Sequence, residues 1–433
     1  MLMIGFVSTS FFLRADELQQ YHYWNLDDCL NYAAENNISI LRSGIVYDKS
    51  EINLKESKAA LFPSLTFNSN QNVSFENHGE DHVIYTGSYN LNASMTLYNG
   101  GRRLNTIEQS KISRENSLWD FLTTSNNIKI QIIRQYYQLL YTHESVVTNE
   151  QIVETSLKEL ERSNELFKSG TISKVELAQV ESQYKKDQYQ LVISQTAESQ
   201  ALLSLKQLLQ LGSDDEFNIN FASGLESQLL VIPALNEVLD NALLTMPELK
   251  SAEAQIKISQ IEKKIARGEW IPTISMGASI GTGHTSLSNY NFARQFGDGF
   301  NENIGLTISV PILNNRKTKS NVERAKLSIM DAELSYQNTV LEVTNTITTI
   351  HLDAMSAQSQ YESALAQLSA AEESYSLVSQ KYNLGMLNAV DLLVEKNSLL
   401  NAIQERIQAK YTTLLDIRLL EFYNNIGRYD DMN

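Results

Sequence analysis

The sequence predicts an internally duplicated, mixed α/β membrane protein whose repeating unit holds both strands and very long helices. Three observations carry this: motifs that return about half a chain later, strands with one apolar face, and long stretches free of proline and glycine. Leu61-Phe62-Pro63-Ser64 returns as Trp270-Ile271-Pro272-Thr273. Tyr98-Asn99-Gly100-Gly101-Arg102 returns as Leu313-Asn314-Asn315-Arg316, and Lys168-Ser169-Gly170-Thr171 as Asn383-Leu384-Gly385-Met386. A repeat of this length decides architecture before any single residue does. The first copy spans 24–233, the second 234–425, and 426–433 is a C-terminal tail.

Bulk composition narrows the class. The 433 residues contain only 5 prolines, which suits uninterrupted helices. The net charge of −16 argues against nucleic acid as a partner and against attraction to anionic lipid surfaces. It reads either as a solvated acidic surface or as a channel lining that favours cations. The single cysteine, Cys29, excludes internal disulfides and sits in a helical motif as a buried thiol, not a lipid anchor. Residues 1–15 carry a short apolar run without a basic start, read as the remnant of a signal peptide or as an ordinary tail. No later stretch reaches the roughly 18 apolar residues of a transmembrane helix.

The strands come first within each copy. Tyr85, Gly87, Tyr89, Leu91, Ala93, Met95 and Leu97 alternate with Thr86, Ser88, Asn90, Asn92, Ser94 and Thr96. Period-two alternation places the two sets on opposite sides of a strand. The second copy opposes Ile304, Leu306, Ile308 and Val310 to Asn303, Gly305, Thr307 and Ser309. Strands are expected at about 64–78, 83–98, 272–285 and 301–312, with Tyr89, Leu91, Met95, Leu306 and Ile308 facing lipid. The alternative is a pair of soluble hairpins, each polar on its solvated face. If the strands cross a bilayer, four cannot close on themselves, because lipid tolerates no open edge. The smallest single-chain barrels have about eight strands, so several chains must share one barrel; three would supply about twelve strands. Trp270 and Tyr98 are then interface aromatics, or else buried core rings. His78 and His82 lie in a loop without a third ligand and read as solvated.

The helices follow. Neither proline nor glycine occurs between Gly101 and Lys168 or between Asn315 and Leu384, enough for helices of about 100 Å. Ile128, Ile132, Tyr136 and Leu139 form one apolar stripe; Ile130, Ile133, Tyr137 and Leu140 form another beside it. Two adjacent stripes pack neighbours on both sides, as in a tube wall or a large bundle. Return helices are expected at about 173–211 and 388–423. Short helices at Leu26–Asn36 and Leu235–Leu244, with the irregular segment 212–233, form a collar. The six histidines show no nucleophile–base or metal-ligand spacing, so no catalytic, cofactor or metal site is predicted.

In their order, spacing and duplication, certain motifs resemble the TolC family of outer membrane efflux proteins. They are Asn25-Leu26-Asp27-Asp28-Cys29-Leu30, Phe62-Pro63-Ser64-Leu65, Leu97-Tyr98-Asn99-Gly100-Gly101-Arg102, Pro311-Ile312-Leu313-Asn314 and Tyr382-Asn383-Leu384-Gly385. The resemblance implies a homotrimer in the outer membrane of a Gram-negative bacterium. Its 12-stranded transmembrane β-barrel, four strands per chain, is continuous with a long periplasmic α-helical barrel and an equatorial collar. It implies an exit duct without enzymatic activity or cofactor, serving a tripartite efflux or type I secretion system. The partners are a periplasmic membrane fusion (adaptor) protein, an inner membrane RND or ABC pump, and outer membrane lipid; nucleic acid is none. Tyr382 matches a gating tyrosine, and Asp391 with Glu176 matches acidic gate positions. Lys168, Gly170, Thr171, Gly385, Met386 and Leu387 match the tips that touch the adaptor. Leu387 stands where some members carry a gating arginine, and Val394 where a second aspartate occurs, which implies a differently wired gate. Ser173-x-x-Glu176 and Asn388-x-x-Asp391 are also helix-capping patterns. The other reading of the whole is a non-membrane coiled-coil scaffold.

Overall fold

The computed structural model describes residues 23–76, 82–212, 214–221 and 231–429. The expected leader at 1–15, His78 and the end of the tail lie outside them. The elements recur in pairs of equal length: α1 (Leu26–Asn36) with α5 (Leu235–Thr245), α2 (Ile38–Ala59) with α6 (Pro247–Gly268), and β2 (Ser64–Glu76) with β5 (Thr273–Thr285). β3 (His82–Asn99) leads into α3 (Arg102–Lys168), as β6 (Asn301–Ser309) leads into α8 (Lys317–Asn383). The return helices are α4 (Lys174–Leu209) and α9 (Ala389–Tyr429). β1 (Tyr23–Trp24) pairs in parallel with β4 (Asn218–Ile219). The chain forms two compact units, and each draws segments from both copies.

One unit comprises the described parts of Ile38–Asn127, Pro233–Leu352 and Leu419–Asn433. Its antiparallel sheet runs β2-β3-β5-β6, so the two copies join through β3 and β5. Residues directly opposite one another share a face. One face carries the rows Phe67–Leu91–Ile280–Glu302, Leu65–Ala93–Ala278–Ile304 and Met95–Met276–Leu306, apolar except for Glu302 near the start of β6. The other carries Thr66–Asn92–Ser279–Asn303, Asn68–Asn90–Gly281–Asn301 and Ser94–Gly277–Gly305. A register shift between Thr96 and Tyr98 ends the strict alternation expected from sequence: Tyr98, not Leu97, stands opposite Ile274. Such a bulge adds one residue to one strand and is invisible to a period-two pattern.

The connection between β5 and β6 holds a further helix, α7 (Phe292–Asp298), where sequence suggested only a long loop. The Asn291 side chain caps it by accepting from the Arg294 N–H. It folds back onto the sheet, where the Thr282 hydroxyl donates to the Phe296 carbonyl at 2.6 Å.

The turns from strand to long helix explain one returning motif. Gly100 and Gly101 adopt φ of 71° and 76°, and their counterparts Asn315 and Arg316 adopt 50° and 65°. Two successive left-handed residues turn the chain, and only the first copy uses glycine for it. At Gly100 the need is doubled, since a Cβ there would lie 2.5 Å from the Gly268 carbonyl oxygen and 2.8 Å from Ile271 Cβ.

The other unit comprises the described parts of Met1–Asn37, Ile128–Ile232 and Asp353–Arg418. Asn25 and Asp28 form a reciprocal capping box that starts α1. That helix buries Cys29 and Ala33 completely. Burial, reinforced by the neighbouring Asp28, pushes the Cys29 thiol up to about 12. Trp24 packs edge-on to Tyr32 and against Phe217, with ring centroids 5.1 and 5.2 Å away. Along α3, Ile132, Ile133, Tyr136, Tyr137, Leu139 and Leu140 are all buried, so both apolar stripes are used.

Gly100→Ala is expected to lower stability by at least about 1–2 kcal/mol, through left-handed strain and collision with Gly268. Asn315→Gly at the matching position should be neutral or mildly stabilising. Thermal unfolding of the purified protein, followed by circular dichroism, distinguishes the two.

Candidate functional site

Two surfaces gather the predicted residues. On the sheet, the apolar face is open: Phe67 is 64 % exposed, Leu306 61 % and Ile308 60 %, and Leu91 and Met276 are also exposed. Met95 is half-buried, in register with Met276. Tyr89 differs from its neighbours, because its ring lies 6.0 Å from His284 and 5.8 Å from Phe296 of α7. The apolar rows therefore end, on the side of the strand-to-strand connections, in an aromatic cluster of Tyr85, Tyr89, His284, Phe292 and Phe296. Across this face the chain spends large side chains on solvent, which a folded soluble surface rarely does over a continuous patch.

The second surface is the helix-turn tips. α3 ends in a Schellman motif: the Gly170 N–H donates to the Phe167 carbonyl and the Thr171 N–H to Leu166, at 3.0 and 2.9 Å. α8 ends identically, with Gly385 donating to Tyr382 and Met386 to Lys381, both at 2.9 Å. Gly170 and Gly385 supply the required left-handed residue at φ 77° and 72°. The turns approach each other, since a Cβ on Gly385 would lie 3.3 Å from Thr171 Cγ2. Met386 is 69 % exposed, and Lys168 and Leu384 also face solvent; Leu387 is half-buried.

Both acids named from sequence sit at helix starts. Ser173 and Glu176 form a reciprocal capping box. The Ser173 backbone N–H and hydroxyl hold the Glu176 carboxyl below its ordinary value, with a smaller contribution from the Ala389 N–H of the other turn. Its depressed pKa contributes stability that is complete above the ordinary carboxylate pKa of 4.5 and fades as pH falls through the lower folded value. The Asn388 side chain accepts from the Asp391 N–H at 3.0 Å, leaving the Asp391 carboxylate exposed.

Behind the turns lies a core of Leu166, Ile172, Val180, Tyr382, Ala389 and Leu392, drawn from all four helices and the first turn. Tyr382 is buried within it, its hydroxyl 2.9 Å from that of the fully buried Ser163. Burial holds the phenol above its ordinary pKa, and the Ser163 hydrogen bond opposes that rise. Arg162 donates to the Asn383 carbonyl at 3.2 Å, placing a cation at the C-terminal end of α8.

One level deeper, the structure brings together residues that sequence reasoning passed over. Lys396 on α9 is almost fully buried and donates to Glu159 and to Ser156 on α3, both at 2.6 Å. Its nitrogen also lies 3.4 Å from Asp187 on α4. Ser156 and Gln183 donate to Asp187, and Tyr375 on α8 donates to Glu159. Burial, then the Glu159 charge, raise the Tyr375 phenol far above its ordinary value. Two carboxylates thus share one ammonium, and neutral donors complete the remaining oxygens. The signal was present as spacing. Asp187 continues the buried series Val180, Gln183, Ser194 and Ala201, while Lys396 continues Ala389 and Leu392, at intervals of three, four or seven. Glu144 forms a second ionic link, to Arg406 at 2.7 Å and Lys410 at 2.8 Å. Burial alone would raise its carboxyl, but Lys410, Tyr411 and Arg406 hold it below the ordinary value.

Comparison with known proteins matches this architecture. The family model described as outer membrane efflux protein covers residues 29–210 and 238–422. No curated protein is similar to the chain in sequence. Among solved structures, the CmeC outer membrane channel of Campylobacter jejuni superposes with a TM-score of 0.77 at 19% identity, covering 93% of this chain and 85% of CmeC. The open state of the MtrE outer membrane channel of Neisseria gonorrhoeae gives 0.78 at 19% identity, covering 93% and 88%. The outer membrane protein VceC of Vibrio cholerae gives 0.78 at 15% identity, covering 93% and 96%. At such identities these likenesses establish the fold.

Lys396→Met should destabilise the tip by about 3–5 kcal/mol, because it strands the buried Asp187 and the half-buried Glu159 carboxylates. Adding Glu159→Gln and Asp187→Asn should restore much of that loss. Thermal melting of the single and the triple variant checks both; an unchanged melting temperature for Lys396→Met would show that the ionic network contributes nothing.

Proposed function

The chain belongs to the outer membrane efflux protein family, and on that premise we propose that it forms, as a homotrimer, the exit duct of a tripartite efflux or type I secretion system. It resides in the outer membrane and extends into the periplasm. The duct takes its cargo from an inner membrane RND or ABC pump through a periplasmic adaptor protein, and it performs no chemistry itself.

One observation carries the membrane part of this reading: a four-stranded sheet with one apolar face, one Ser/Thr/Asn/Gly face and two unpaired edges. Lipid accepts the apolar face but not the edges, whose backbone groups must be paired. Joining β6 of one copy to β2 of the next pairs every edge, and three copies give a barrel of about twelve strands. The polar face then lines the lumen. A coiled-coil scaffold in water leaves the exposed Phe67, Leu306 and Ile308 without a purpose.

The helix-turn tips form the periplasmic entrance. Lys168, Gly170, Thr171, Gly385, Met386 and Leu387 meet the adaptor. Tyr382, Glu176 and Asp391 control the opening, and Asp391 from each copy contributes negative potential at the mouth. Leu387 leaves this gate without the arginine some relatives use. Support comes from the buried Tyr382–Ser163 contact and the Arg162–Asn383 link, which tie α8 to α3 where opening would part them.

Replacing Leu91 or Leu306 by Arg places a charge in the lipid-facing band and should cost about 2–4 kcal/mol. The expected result is loss of heat-resistant trimer from outer membrane fractions; a soluble periplasmic monomer in the unaltered protein would refute the assembly. In single-channel recordings, Asp391→Asn should reduce cation selectivity, and unchanged selectivity would remove Asp391 from the entrance.

A further inference from the structure

We propose that the cleft between the end of α6 and the start of α8 binds the phosphate headgroup of an anionic phospholipid from the periplasmic leaflet. The inference rests on the reading that the apolar sheet face meets lipid. The cleft, of about 300 Å³, is lined by Arg267, Trp270, Lys319, Val322, Glu323 and Lys326. It belongs to the same unit as the sheet and lies at its helix-bearing end: β5 starts at Thr273, three residues beyond Trp270, and α8 starts soon after β6.

The charge balance of this cleft runs against the rest of the chain. The whole carries −16, yet the turn into α8 and its first turns carry Arg316, Lys317, Lys319, Arg324 and Lys326 against the single acid Glu323. The nearby carboxylates are already engaged. Glu269 accepts from Thr318 at 3.1 Å and from Asn321 at 2.9 Å, and Glu323 pairs with Arg316 at 3.2 Å. Arg267, Lys319 and Lys326 are exposed, and their side chains make no hydrogen bond or ion pair among the described residues. Lys319 and Lys326 lie seven residues apart, on one face of α8, and Arg267 stands one turn before Trp270 on the neighbouring segment. Three unpaired cations converging on one cleft have the character of a phosphate site.

The apolar half of the site selects a lipid over a free anion. Trp270 is 62 % exposed, and Ile312 and Leu313, in the connection from β6 to α8, are 88 % and 94 % exposed. A tryptophan beside the end of an apolar band is the side chain favoured at headgroup depth, with its ring among acyl carbons and its N–H toward the polar layer. Basic clefts at this depth recognise anionic headgroups, and each cation near the surface adds to the attraction.

The test uses the full-length protein in detergent, with bound lipid read by native mass spectrometry. Phosphatidylglycerol, phosphatidylcholine and inorganic phosphate are offered separately and in competition. The unaltered protein should retain phosphatidylglycerol in preference to phosphatidylcholine. The combined variant Arg267→Gln, Lys319→Gln, Lys326→Gln should weaken that retention about a hundredfold, and Arg324→Gln outside the cleft should not. Circular dichroism and oligomer mass confirm that the variants fold. A variant that keeps the full preference overturns the proposal, and displacement of the lipid by equimolar inorganic phosphate overturns the lipid as its ligand. Failure of the unaltered protein to insert into phosphatidylcholine bilayers would instead count against the membrane reading beneath it.

Discussion

The unpaired backbone at the two edges of the β2-β3-β5-β6 sheet is the constraint from which the rest follows. In water this sheet would expose a continuous band of Leu, Ile, Phe and Met, at a cost proportional to the area left wet. In lipid the same band is favourable, but each open edge would leave N–H and C=O groups without partners. Sharing edges between copies satisfies both requirements together. The topology is compatible with it: all four helix–strand junctions leave one end of the sheet, while the strand-to-strand connections lie at the other. Among the described residues no helix is long and apolar enough to cross a membrane.

The helical unit solves a different problem. Its seams are rich in Ala, Ser and Tyr, so the apolar contribution per residue is modest, and polar contacts select the register. Lys396, Glu159 and Asp187 can meet at only one alignment of α3, α4 and α9. A buried charge that finds its partners in only one register penalises all others. The same economy applies at the turns, where Glu176 serves its own helix start while touching the beginning of α9. An acid that caps one helix and contacts another couples the two turns, which is the local ingredient that a gate at this position would use.

Much of this was legible in sequence because it rests on local periodicity. The alternation of Tyr85 to Thr96 defines the strand faces, Gly170 and Gly385 mark the helix ends, and Ser173-x-x-Glu176 identifies its capping box. What sequence missed depended on partners distant in the chain or on a break in the period. The bulge at Leu97 re-aims Tyr98. The Asn291 cap turns an apparent loop into α7. The burial of Lys396 depends on Glu159 and Asp187, each more than two hundred residues away in sequence.

Sequence alone therefore determined the repeat, the element types and the two-faced character of the strands, because backbone periodicity and chain-breaking residues act over a few positions. Only the tertiary structure decided which charges are buried together, where the apolar face ends in an aromatic cluster, and which cations near Trp270 remain unpaired. Those outcomes depend on side chains brought together from different helices. A residue's partners, and hence its burial and protonation, belong to the packed arrangement rather than to its place in the chain.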